Sequence, residues 1–169
     1  MFDLQEADRN LWKEVFDNPN LRYCFDCSTC ISGCPASNAN PPLLIRNLAR
    51  MVILGLEDEL LDADKPWTCV TCSRSEEMCP MDLKPFELCP RISTWQCAND
   101  PTRIPTSLVE IYNRGYTQPV ERNTERRKEL GLPEKLPVLT EYPDMLEKFR
   151  EMLMKTKVIS DNDFMFKGV

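Results

Sequence analysis

Cys24-Phe25-Asp26-Cys27-Ser28-Thr29-Cys30-Ile31-Ser32-Gly33-Cys34-Pro35 is the stretch that decides the reading of this chain. Its spacing is C-x2-C-x2-C-x3-C-P. Three thiolates two residues apart can wrap three corners of one iron–sulfur cubane, while the fourth points away toward a second cluster. The proline after the fourth cysteine restricts its neighbour's backbone and removes a donor. Around this run, the 169 residues hold nine cysteines and no histidine. Without histidine there is no Ser-His-Asp or Cys-His nucleophile, no HExxH zinc protease, and no histidine-ligated Rieske centre or haem. Nine is odd, so the cysteines cannot all form internal disulfides. Thiolates favour iron–sulfur, zinc or cuprous copper.

The spacing is that of the bacterial ferredoxins. A second run, Cys69-Val70-Thr71-Cys72-Ser73-Arg74-Ser75-Glu76-Glu77-Met78-Cys79-Pro80, would repeat it if Ser75 were cysteine. In two-cluster ferredoxins the fourth cysteine of each run crosses to the other cluster. By that rule Cys24, Cys27, Cys30 and Cys79 hold one 4Fe–4S cluster, and Cys34, Cys69 and Cys72 hold the second. The second cluster's fourth corner is open to three readings. It is empty, as a 3Fe–4S centre; or Ser75 ligates as an alkoxide; or Cys89, just before Pro90, replaces the missing thiolate and completes an unusually ligated 4Fe–4S cluster. Cys97 reads as a small buried apolar residue. Zinc is the structural alternative, but it usually takes two ligand pairs across a longer loop. A thioredoxin-like C-x-x-C switch would sit at a helix start in a βαβ setting, which the chain lacks.

The balance of 21 basic against 27 acidic residues gives a net charge of −6, which disfavours nucleic acid as a partner. Met51-Val52-Ile53-Leu54 is too short an apolar stretch to span a bilayer, and the acidic, polar N-terminus does not read as a secretory signal. A cytoplasmic location, where thiols stay reduced, is the expectation. Five glycines and no clear alternating β-branched run point to a mainly α fold.

A first helix is expected over about 4–17, capped by Asp3, with Leu4, Leu11 and Val15 on one face. Asn40-Pro41-Pro42 reads as the cap and first turn of a second helix, buried through Leu44, Leu48, Met51 and Val52 and stopped at Gly55. An acidic turn follows from Glu57 to Asp64. Pro85 and Pro90 argue against one smooth helix across Phe86–Ala98. Further helices run over about 105–114 to Gly115, over Glu121–Leu130 to Gly131, and from Pro143 through Leu146, Phe149 and Leu153. Residues 1–100 form the cluster-binding domain and 101–169 a helical extension. Its last residues, about 156–169, read as a tail that orders against a partner, with Met152, Met154, Phe164, Met165 and Phe166 as the partner contact. Arg122, Arg126, Arg127 and Lys128 read as a solvated helix face.

Two ferredoxin runs separated by a helical spacer resemble the α-helical ferredoxin domain. That domain is shared by the C subunit of heterodisulfide reductase and the iron–sulfur subunits of succinate dehydrogenase and fumarate reductase. The spacer PPLLIRNLARMVILGLEDELLDADKPWTCVTC (41–72) is similar to the heterodisulfide reductase protein in particular, through Arg46, Gly55, Leu56, Trp67, Cys69, Thr71 and Cys72. Arg114-Gly115 and RRKELGLP (126–133) extend the likeness, which covers about residues 10–155. Ser75 and the run KPFELCPRISTWQC (84–97) depart from the pattern. The succinate dehydrogenase relatives carry a three-cysteine 3Fe–4S centre, which places the open corner first among the readings.

The resemblance implies an electron-transfer protein with no catalysis of its own, inside a multi-subunit complex. Its partners would be a protein bearing flavin and iron–sulfur clusters and a catalytic protein that handles the disulfide. An iron–sulfur component of another soluble oxidoreductase, of the sulfur-oxidising or fumarate/succinate type, is the alternative, with a zinc-stabilised interaction module behind it. Backbone N–H groups of the loops, and the hydroxyls of Ser28, Thr29 and Thr71, are candidate donors to cluster sulfur. Leu44, Ile45, Leu48 and Trp67 are candidate screens against water.

Overall fold

A computed structural model describes residues 7–117, 124–134 and 138–156. Among them the regular structure is helical and there is no strand. The chain divides into two compact units, Met1–Asp100 and Pro101–Val169.

In the first unit α1 (Leu11–Val15), α3 (Ile45–Leu54), α4 (Glu57–Leu61) and α6 (Pro85–Asn99) enclose the core. The four-residue helices α2 (Thr29–Ser32) and α5 (Arg74–Glu77) carry the cysteine runs and pack on each other. Helix α3 buries Ile45, Leu48, Ala49 and Val52, a stripe at helical spacing. The buried face is therefore turned from the expected one: Leu44 and Met51 are only half-buried. The helix also starts later than Asn40-Pro41-Pro42 suggested. The N–H of Leu43 is bonded back to the Ala36 carbonyl at 3.0 Å, which keeps those prolines in the loop.

Gly55 ends α3 at φ +71°, where Gly55 donates to the Val52 carbonyl and Leu56 to that of Met51. A Cβ at Gly55 would run into the backbone of Asp8. Asp8 also explains the short first helix. Its carboxylate takes the N–H of Asn10 at 2.8 Å, so the chain turns there and α1 starts at Leu11. Asp3 and Leu4 lie outside the described residues.

The expected acidic turn contains a helix, α4, whose Leu60 is fully buried. The largest departure is α6, which runs unbroken from Pro85 to Asn99 with Pro90 inside it. Pro85 sits in the first turn, where its missing N–H costs nothing. Pro90 is exposed, while Leu88, Cys89, Ile92, Trp95 and Gln96 bury the opposite side. That buried stripe holds the axis through the lost hydrogen bond.

Gln96 anchors the end of α4. Its fully buried side-chain amide donates to the carbonyls of Leu60 at 2.6 Å, Ala63 at 2.7 Å and Leu61 at 3.2 Å. Its oxygen accepts from the Trp67 indole at 2.7 Å. An indole only donates, which fixes the orientation of the amide.

In the second unit α7 (Thr106–Arg114) stops at Gly115, at φ +80°. Helix α9 (Pro143–Met154) is tied to the end of α7 by Arg150, which donates to the carbonyls of Tyr112 at 2.9 Å and Asn113 at 3.0 Å. Helix α8 (Thr124–Glu129) is exposed. There Arg126 pairs with Glu129, Lys128 with Glu134, and Arg127 donates to the Pro133 carbonyl. These contacts fit a solvated face; Arg122 lies outside the described residues, as do Phe164, Met165 and Phe166. No helix among the described residues is long and apolar enough to cross a membrane.

Candidate cluster-binding site

The two cysteine loops share one backbone design. In the first, Asp26 (φ 64°) and Ser28 (φ 63°) are left-handed; in the second, Thr71 (φ 50°) and Ser73 (φ 58°) take the same places between the ligand positions. Each serine leads directly into a four-residue helix, α2 or α5. A left-handed residue followed by a right-handed one turns successive N–H groups to one concave side, which suits an anion. Left-handed backbone is costly for a β-branched residue such as Thr71, and such strain persists where its surroundings over-determine it. A third pair, Asp82 (φ 48°) and Lys84 (φ 51°), follows Cys79-Pro80 at the same spacing.

The loops meet through their last residues. Gly33 precedes Cys34 just as Met78 precedes Cys79, and a Cβ on Gly33 would collide with the Met78 sulfur. Glycine at one position and methionine at its counterpart let α2 and α5 approach.

Cys24, Cys27 and Cys30 of the first run and Cys79 of the second line one cavity. Leu21, Ile45, Leu83 and Leu88 form apolar wall, and Asp26 and Arg46 are its charged members. Burial, then the neighbouring thiols of Cys24, Cys79 and Cys27, push the Cys30 thiol up to about 11. A cationic metal core would reverse that cost, because a coordinating thiol is deprotonated outright. At the exposed edge the Thr29 hydroxyl lies 3.1 Å from the Cys27 sulfur and holds that thiol below its ordinary range. Among the described residues no three Cys, Asp or Glu side chains converge on one ion-sized point. Four thiols around a cavity with apolar walls fit a sulfur-rich cluster.

Cys34, Cys69 and Cys72 do not line this cavity. Cys34 is buried, Cys69 is half-buried and Cys72 is exposed. Ser75 is buried in α5, the counterpart of Cys30 in α2. Cys89 is fully buried on α6, in the same core as Cys34, against which Cys69 packs. Burial first, then the thiols of Cys69, Cys34 and Cys30, drive its pKa upward. Cys97 is buried in the same helix.

Of the expected water screens, Ile45 lines the cavity and Leu48 is in the core beneath it. Leu44 and Trp67 do not line it, and Trp67 is 39% exposed with its indole engaged by Gln96. Thr71 is exposed, while the Ser28 hydroxyl accepts from Arg46 Nη1 at 2.7 Å. The site role of Arg46 escapes sequence reasoning, although an arginine in a helix's first turn opposes the dipole and hints at a partner nearby.

This combination places the chain in the class of cysteine-ligated iron–sulfur proteins, and residues 20–83 match the 4Fe–4S dicluster domain family. The chain is 37% identical over 141 residues to a protein of Archaeoglobus profundus named as like the C subunit of heterodisulfide reductase, covering 82% of this chain and 74% of the relative. It is 29% identical over 141 residues to the C subunit of the H(2):CoB-CoM heterodisulfide,ferredoxin reductase of Methanothermobacter thermautotrophicus, covering 81% and 75%. It is also 29% identical over 167 residues to a C-type iron–sulfur subunit of the CoB–CoM heterodisulfide reductase of Methanocaldococcus jannaschii, covering 91% and 89%. The chain belongs to the family of heterodisulfide reductase C subunits.

Proposed function

We propose that this chain is the iron–sulfur electron-transfer component of a heterodisulfide reductase-type complex, located in the cytoplasm, with an α-helical ferredoxin-like first unit. Its place is between a partner bearing flavin and iron–sulfur clusters and a catalytic partner that handles the disulfide, and it makes no bonds of its own. When bound, the clusters supply one-electron steps. The chain's residues bind them, exclude water and set their potential through hydrogen bonds, burial and charge.

Cys24, Cys27, Cys30 and Cys79 are the ligands of a 4Fe–4S cluster. The observation that carries this is the entry of Cys79, from the second run, into the cavity lined by three cysteines of the first. Leu21, Ile45 and Leu88 keep water from the cavity wall, and a ligating Cys27 thiolate would accept from the Thr29 hydroxyl 3.1 Å away.

Cys34, Cys69 and Cys72 hold the second cluster. Its fourth corner is empty, giving 3Fe–4S, or is filled by Ser75 or Cys89. Ser75 is the positional counterpart of Cys30, whereas Cys89 shares the buried core with Cys34, and Cys69 packs against that core. An oxidised-state EPR signal of a 3Fe–4S centre in anaerobic protein identifies the empty corner. If two 4Fe–4S clusters are found, loss of the second in only Ser75→Ala or only Cys89→Ala names the ligand. Stoichiometric zinc without acid-labile sulfide would overturn the whole reading. The segment after residue 156 is the proposed partner contact, on the strength of Phe164, Met165 and Phe166 in a stretch with no apolar pattern of its own.

A further inference from the structure

Arg46 stands in the first turn of α3, against the helix dipole, yet it is only 32% exposed and each of its guanidinium nitrogens has a partner. Nη1 donates to the Ser28 hydroxyl at 2.7 Å, Nε lies 3.3 Å from the Asp26 carboxylate, and Nη2 reaches the Asn47 side-chain oxygen at 3.4 Å. Asp26 and Ser28 flank Cys27, and both are left-handed. The planar fork of one arginine therefore straddles Cys27 and grips the two backbone positions that shape its loop. Arg46 and Asp26 also line the cavity with Cys24, Cys27, Cys30 and Cys79.

We propose that Arg46 is a positioning and potential-setting residue for the first cluster, clamping the Cys27 loop through Asp26 and Ser28 while placing a positive charge on the wall of the cluster cavity. This rests on the assignment of that cavity to a 4Fe–4S cluster. Reduction adds one electron, and so one negative charge, to a group already held by four thiolates. A guanidinium in the wall stabilises the reduced form more than the oxidised form and raises the potential. The Asp26 carboxylate acts in the opposite sense and is partly neutralised by its pairing with Arg46. Removing Arg46 both deletes the positive charge and exposes the cluster to an unpaired Asp26, so the two effects add.

The test is an EPR-monitored redox titration of the full chain, purified anaerobically with its clusters, at fixed low salt. Arg46→Gln should lower the first cluster's potential by at least a tenfold change in its reduction equilibrium, about 59 mV for one electron. Asp26→Asn should shift it the other way. Arg46→Lys, which keeps charge but loses the fork, should hold the potential near wild type while the first cluster is lost faster to a chelator. A potential unchanged in both Arg46→Gln and Asp26→Asn would overturn the proposal. If Arg46→Gln fails to retain its cluster, Asp26→Asn decides: an upward shift supports the proposal and no shift overturns it. Wild-type protein without any iron–sulfur cluster would instead overturn the cavity's assignment, a different failure.

Discussion

Cys79 belongs to the second cysteine run by sequence and to the first cavity by position. Cys79→Ala should abolish the first cluster's signal and leave the second in place. Loss of the second cluster with the first intact would contradict the crossed assignment, with EPR and iron counting as the readout. That position of Cys79 agrees with the expectation from C-x2-C-x2-C-x3-C-P, whose fourth cysteine ligates the other cluster in two-cluster ferredoxins. Arg46 was not legible in that way. Its hydroxyl partner lies 18 residues away, and no spacing rule joins a helix's first turn to a loop on an earlier segment. Cys89 was visible as a spare thiol, but only the folded core groups it with Cys34 and Cys69.

Helix ends and helix interiors behaved differently. Gly55 and Gly131 each close a helix with the paired hydrogen bonds of a left-handed cap, which a glycine after a helical pattern foretells. Gly55→Ala should cost about 1–2 kcal/mol from handedness alone, and more because its Cβ meets the Asp8 backbone. A thermal melt at or above wild type would contradict this. The interior of α6 ran against the sequence signal, since Pro90 is tolerated by a buried stripe that no local rule weighs. Pro90→Ala should restore one helical hydrogen bond and stabilise the protein by up to roughly 3 kcal/mol; a clear drop in Tm would show that the proline is needed. Gln96→Leu leaves the Leu60 and Ala63 carbonyls and the Trp67 indole without their partner. The Leu60 carbonyl is the buried one of these, and orphaning it costs about 1–3 kcal/mol, so Tm should fall clearly, and an unchanged melt would contradict the clamp. A glutamine between Trp95 and Cys97 offered a weak signal, because its three carbonyl acceptors lie 33–36 residues away.

The first unit is a scaffold of four packed helices on which two equivalent loops meet, with Gly33 against Met78 at their contact. That duplication was faint in sequence, where Ser75 breaks the second run, and becomes plain in the matching left-handed residues. At the scale of a complex, deleting residues 157–169 should release the chain from its partner proteins while both clusters remain. Unchanged co-purification would remove the tail from the account. The most direct measurement is iron and acid-labile sulfide analysis with EPR on the full chain, purified anaerobically. Sulfide should match iron, enough for two clusters, with either a 3Fe–4S signal in the oxidised protein and one 4Fe–4S signal on reduction, or two interacting 4Fe–4S signals on reduction. Zinc without sulfide, or iron for a single cluster only, would contradict this.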